Sequence, residues 1–157
     1  MAPTACDVAH ARLPTTRTCS RSVGSDSTRS VAVAASTEKI REVVESYIAL
    51  VADGTAVEIA DLYTDDATVE DPVGTEVRRG REAILEFYGG LEGMEARTSL
   101  GVVRIAGGEA VFNFELVTVV GDQSYTVAPI DHMVFDEDGK ITAMRAFWDP
   151  ATDMSVS

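Results

Sequence analysis

The chain has 157 residues and a formal net charge of −13. That length fits one domain, and the acidity excludes a surface built for nucleic acid or for anionic membranes. No apolar run approaches the ~18 residues of a transmembrane helix, so a soluble, cytoplasmic protein is expected.

The charge is uneven. Residues 1–35 hold four Arg, two Asp, five Ser and five Thr, whereas the rest holds nine Lys/Arg against 24 Asp/Glu. The first segment has no sustained hydrophobic period and too little apolar surface to offset its ordering entropy. It is expected to be a disordered tail, and residues 36–157 a single folded domain. The tail reads either as sequence upstream of a true start near Val31 or Val33, or as a targeting segment without a convincing amphipathic helix. Cys6 and Cys19 both lie in it, so disulfides and cysteine chemistry are not expected to serve the domain. His132 is the domain's only histidine. A histidine-rich metal site is therefore excluded, and no metal or other cofactor is expected.

The first element is a helix over about 37–52. Ser36 or Thr37 caps it and Gly54 ends it. Ile40, Val43, Val44, Tyr47, Ile48 and Val51 form one apolar stripe at the helical period, so Tyr47 points at the core and its hydroxyl needs a partner. Thr55 and Glu58 fit a capping box that opens a short second helix through Leu62, closed by Tyr63. A short strand, 67–70, follows. Its alternation puts Val69, Asp71 and Val73 on one face, and Pro72 stops the strand at Asp71. After a loop carrying Arg78 and Arg79, a third helix spans 81–88. It buries Ala83, Ile84, Phe87 and Tyr88 and stops at Gly89-Gly90.

From residue 97 the pattern turns to strands, at about 97–106, 109–120, 123–136 and 140–149. Gly107-Gly108, Gly121-Asp122 and Asp138-Gly139 mark hairpin turns between them. Helices first and an antiparallel meander last give an α+β class. In the run 125–135 one face carries Tyr125, Val127, Pro129, Asp131, Met133 and Phe135. Asp131 is the only acid in that row. An apolar face disfavours its ionised form, and a neutral carboxylic acid donates a hydrogen bond that a carboxylate cannot. Pro129 leaves a second reading open: a bulge there would shift the alternation and turn Asp131 outward. His132 falls on the opposite face and is assigned no role.

These residues resemble the bacterial ketosteroid isomerases, or steroid delta-isomerases, of the NTF2-like, SnoaL-like superfamily. The segments that carry the resemblance are Tyr47–Leu50, Tyr63–Gly74, Glu86–Tyr88, Val127–His132 and Met144–Trp148. The resemblance covers about residues 37–150. It implies a cone-shaped fold of three N-terminal helices packed on a curved antiparallel sheet. It also implies that Asp71 is a general base moving a proton from C4 to C6 of a 3-oxo-Δ5-steroid. Tyr47 and protonated Asp131 would donate to the C3 oxygen, with Tyr63 and Tyr88 forming a hydrogen-bond network behind Tyr47. The neutral acid is a role taken from the ketosteroid isomerases themselves.

The expected partner is thus a small, apolar, steroid-like substrate. Phe87, Phe112, Phe114, Leu116, Met144 and Trp148 are its expected walls. A homodimer through the outer sheet face is implied by the family, with Val103, Val117 and Val119 as its apolar patch. Two other functions stay open. One is a lyase, cyclase or epoxide hydrolase on the same scaffold, with Arg145 as a buried partner; the other is a noncatalytic binding or dimerisation module.

Overall fold

The computed structural model describes residues 34–157. The expectations for the tail fall on residues outside these, apart from Ala34 and Ala35. Among the described residues the chain forms three helices and eight strands. No described helix is long and apolar enough to cross a membrane.

Helix α1 spans Thr37–Asp53. Ser36 caps it by accepting a hydrogen bond from Lys39 N at 3.1 Å, and the expected stripe from Ile40 to Val51 is buried. Helix α2 spans Ala56–Ala60, opened by a complete Thr55–Glu58 capping box. Tyr63 does not close this helix; it is the first residue of β1, Tyr63–Glu70. Strand β2, Arg78–Arg79, folds back on β1 within the expected loop. Helix α3 covers Gly80–Gly89.

The remaining strands are β3 (Glu95–Ala106), β4 (Glu109–Val120), β5 (Gln123–Val127), β6 (Ile130–Phe135), β7 (Ile141–Phe147) and β8 (Met154–Val156). Gly107, Gly108, Gly121 and Gly139 all take positive φ, from 61° to 83°, at the turns the sequence marks. That conformation suits glycine because it has no Cβ to clash. The sheet runs β2-β1-β7-β6-β4-β5-β8, with β3 paired to the other edge of β4.

Two expectations about the sheet need correction. The sheet is mixed rather than antiparallel, because β1 lies parallel to β7. Short turns dictate antiparallel partners only for neighbours in sequence, and β1 reaches β7 across α3 and the whole meander. Second, the expected strand 123–136 is two strands broken at Ala128-Pro129, where proline lacks the N–H that a ladder needs. The register nevertheless runs through the break. Leu116 faces Val127 on one side of it and Phe112 faces Asp131 on the other. The alternation of side chains is therefore unshifted, and Asp131 points inward.

A real shift occurs in β3, between Leu100 and Val103. This irregularity places Val103 opposite Phe112 on the inner face, buried in the core, so Val103 does not belong to an outer patch. Val117 and Val119 do lie on the outer face, half-buried. The core fills the space between the helices and the inner sheet face, with Val44, Val69, Ile84, Ala110, Met133 and Ile141 fully buried. Thr98 ties β3 to α1 by donating from Oγ1 to the Ile48 carbonyl at 2.9 Å.

Candidate active site

Helices α1 and α3 and the inner face of the sheet surround a cavity of about 260 Å³ that opens to solvent. The polar side chains that line it include three from separate elements: Tyr47 from α1, Asp71 from the end of β1 and Asp131 from β6. The rest of the wall is largely apolar, including Phe87, Phe114, Leu116 and Trp148.

Tyr47 is only 3% exposed, held there by its place in the α1 stripe. Its hydroxyl sits at the head of a buried chain. Tyr63 and Tyr88 share a hydrogen bond of 2.8 Å, and Tyr88 donates to Tyr47 at 3.3 Å. Because the Tyr47 oxygen accepts from behind, its own proton is free to be donated into the cavity, and such chains strengthen the donor at the front. Burial pushes all three phenols well above their ordinary pKa, so they remain protonated donors.

Asp131 is 1% exposed, the only fully buried acid among the described residues. Neither carboxyl oxygen has a hydrogen-bond partner among those residues. An unsatisfied buried polar group of this kind costs about 1–3 kcal/mol, which a ligand oxygen in the cavity would offset. Burial, and then the charge of Asp71, pushes the Asp131 pKa well above the usual carboxylate range. Burial thus favours the neutral form of Asp131, which, like Tyr47, can donate a hydrogen bond.

Asp71 differs in exposure and in partners. It is half-buried, and its Oδ1 accepts a hydrogen bond from the Trp148 indole N–H at 2.7 Å. Burial raises its pKa, while the Trp148 bond and the Arg78 charge pull it back down. Arg78 donates from Nη1 to the Asp71 carbonyl at 3.4 Å, and its guanidinium stacks 4.2 Å from the centre of the Phe87 ring. So Asp71 keeps its charge more readily than Asp131. Two carboxyls whose environments push their proton affinities apart divide naturally into a base and an acid. The site can remove a proton on one side of a bound molecule and stabilise negative charge on an oxygen at the other.

The structure brings Tyr47, Asp71 and Asp131 to one cavity, with Tyr63 and Tyr88 behind Tyr47. Of the expected walls, Phe87, Phe114, Leu116 and Trp148 line it. Phe112 and Met144 do not; both are 1% exposed and pack beneath the lining. Arg145 is not a buried partner. It is exposed on the outer face, where Nε donates to Glu70 at 2.7 Å. His132 also faces outward, paired with Glu109. Arg78, which the sequence places in a loop, braces both Asp71 and the Phe87 wall. Trp148 was legible as a wall but not as the partner of Asp71. Thr118 and Met154 are further lining residues that the sequence reading missed. The alternation of β4 that singles out Phe112, Phe114 and Leu116 reaches Thr118 at its next step, whereas the short terminal strand holding Met154 carries no clear signal.

Comparison with known proteins shows the family to which the chain belongs. Residues 44–144 match the SnoaL-like domain family. The chain is 51% identical over 119 residues to a protein named Steroid Delta-isomerase from Nocardioides simplex, an alignment covering 76% of this chain and 96% of that one. In structure it is similar to SalBIII, described as an epoxide hydrolase/cyclase-like enzyme with a role in pyran ring formation in the polyether salinomycin. That likeness has a TM-score of 0.71 at 28% identity and covers 76% of this chain and 97% of the other. The chain belongs to the SnoaL-like family, of NTF2-like fold, and is a homologue of a steroid delta-isomerase.

Proposed function

We propose that this protein is a steroid delta-isomerase that converts 3-oxo-Δ5-steroids to their conjugated Δ4 isomers. The observation that carries the reading is Asp131: a buried carboxyl with no hydrogen-bond partner among the described residues, lining the same cavity as the Tyr47 hydroxyl and the more acidic Asp71. Asp71 takes the proton from C4. The C–H electron pair moves into the ring system and negative charge collects on the C3 oxygen. Tyr47 and neutral Asp131, two donors already lining the cavity, stabilise that charge with two hydrogen bonds. Asp71 then returns the proton to C6, so no atom is gained or lost and no outside reagent is consumed.

The energetics divide the work. An aspartate is a weak base for a carbon acid, so the oxyanion side carries much of the burden. One preorganised donor in a site of low dielectric is worth about 10²–10³ in rate. A single base can serve both carbons when a rigid substrate presents them to it on one face. The identity to the Nocardioides simplex protein supports the substrate class. A homodimer through the outer sheet face belongs to the same reading. Ile130 and Phe147 face each other across β6 and β7, both about half exposed, and Val102 at 57% exposure extends that apolar row beyond Asn113.

The likeness to SalBIII favours one other reading, ring opening or ring closure of an epoxide. There neutral Asp131 would protonate the epoxide oxygen while Asp71 activates a hydroxyl group. The two readings separate on substrate. The isomerase produces a conjugated enone from a 3-oxo-Δ5-steroid at a rate that depends on Asp71. Turnover of a hydroxy-epoxide with none of the steroid would instead establish the second.

A further inference from the structure

The inner face of β4 and its partners is a ladder of cross-strand pairs leading away from the acid. Phe112 faces Asp131 on the first rung. Beyond the break, Leu116 faces Val127 and then Thr118 faces Tyr125. Phe114 and Pro129 occupy the rung in between, where Phe114 N donates to the Pro129 carbonyl at 3.4 Å. The ladder therefore begins with a carboxyl, continues through apolar side chains, and ends with two hydroxyl-bearing residues. Thr118 and Tyr125 both line the cavity. Tyr125 donates its own proton to Gln123 Oε1 at 3.1 Å, which leaves its oxygen to accept. Strand β8 lies alongside, with Met154 next to Val127 and Val156 next to Tyr125, and walls this end.

At a strand rise of about 3.3 Å per residue, the two polar ends lie up to about 20 Å apart. A four-ring steroid nucleus is shorter than that. With its C3 oxygen at Asp131, the last ring ends among the apolar rungs and the hydroxyl rung remains beyond it. A plain hydrocarbon tail there would strip water from Thr118 and Tyr125 without replacing its hydrogen bonds, a penalty that hydrogen-bonding sites use to reject analogues. Among the described residues no Lys or Arg lines the cavity, so an ionised carboxylate at this end would find no countercharge from them.

We propose that Thr118 and Tyr125 form a second, polar subsite selecting steroids whose side chain, extending beyond the fourth ring, ends in an uncharged hydrogen-bonding group. This rests on the steroid reading of the site. It adds a specificity determinant at the end remote from the chemistry.

The test uses ligands that already carry the Δ4 double bond, so that binding is read without turnover. Trp148 is the only tryptophan of the chain and lines the cavity, so its fluorescence reports occupancy. Two chol-4-en-3-ones would be titrated, identical except that the side chain ends in a hydroxymethyl or in a methyl group. The wild type is expected to bind the hydroxyl-ended ligand about five-fold more tightly, the effect of one well-made neutral hydrogen bond. The Thr118→Val/Tyr125→Phe double variant is expected to bring that ratio close to one, and Thr118→Ser, which keeps the hydroxyl, to preserve it. Equal affinities in the wild type, or a preference that survives in the double variant, would overturn the subsite. No fluorescence response to either steroid would overturn the steroid reading itself, and the subsite with it.

Discussion

In the proposed reaction Asp71 must be ionised to accept a proton, so turnover is expected to fall as the pH drops through its pKa. Burial raises that pKa and the Trp148 hydrogen bond lowers it. Trp148→Phe removes the lowering influence, and the acid limb of kcat/KM is expected to move to higher pH. A pH–rate profile checks this, and an unmoved limb would contradict the role given to Trp148. Asp131 is expected to leave its mark on stability. Burial raises its pKa in the folded state above the unfolded value. Its contribution is fully present below the unfolded pKa and is lost as pH rises toward the folded pKa, by up to about 1.4 kcal/mol per pH unit for one group. Asp131→Asn cannot ionise, so its urea midpoint is expected to exceed that of the wild type increasingly toward alkaline pH. Parallel stability curves for the two proteins would refute a raised pKa. Asp71, Asp131 and Tyr47 were legible because strand alternation and a helical stripe place each of them inward. The Trp148–Asp71 bond was not, because it spans 77 residues in sequence and follows from the parallel β1–β7 pairing.

At the scale of elements, caps and turns were the most legible features. Thr55 and Glu58 close their capping box, with Thr55 N donating to Glu58 Oε2 at 2.9 Å and Glu58 N to Thr55 Oγ1 at 3.2 Å. Thr55→Ala is expected to lower stability by about 1 kcal/mol, measured by urea denaturation, whereas Thr55→Ser should retain most of it. The glycine turns behave likewise, since positive φ is a local demand that local sequence reveals. Pairing across distance was less legible. The Leu100–Val103 irregularity turned Val103 inward, and nothing in the alternation of β3 announces it. Pro129 is the instructive contrast. It breaks the ladder as proline should, but the pairing resumes in the same register, and that continuity keeps Asp131 on the cavity side.

For the whole molecule, the α+β class followed from helices preceding strands, and the direction of β1 relative to β7 was the part that short-turn logic could not supply. The outer face raises the question of assembly. If Val102, Ile130 and Phe147 meet a second copy, Ile130→Glu buries a charge at the centre of that contact and is expected to shift the protein from dimer to monomer in light scattering. A monomeric wild type at micromolar concentration would rule this contact out as the site of assembly. The chemistry of the cavity is the central claim, and its most direct test is ultraviolet absorbance of the protein mixed with a 3-oxo-Δ5-steroid. Rapid growth of the conjugated enone band is expected for the wild type. Asp71→Asn should be slower by roughly 10²–10⁴ and Asp131→Ala by roughly 10²–10³. A folded wild type that yields no enone above background, or an Asp71→Asn variant that retains near-normal turnover, would contradict the account.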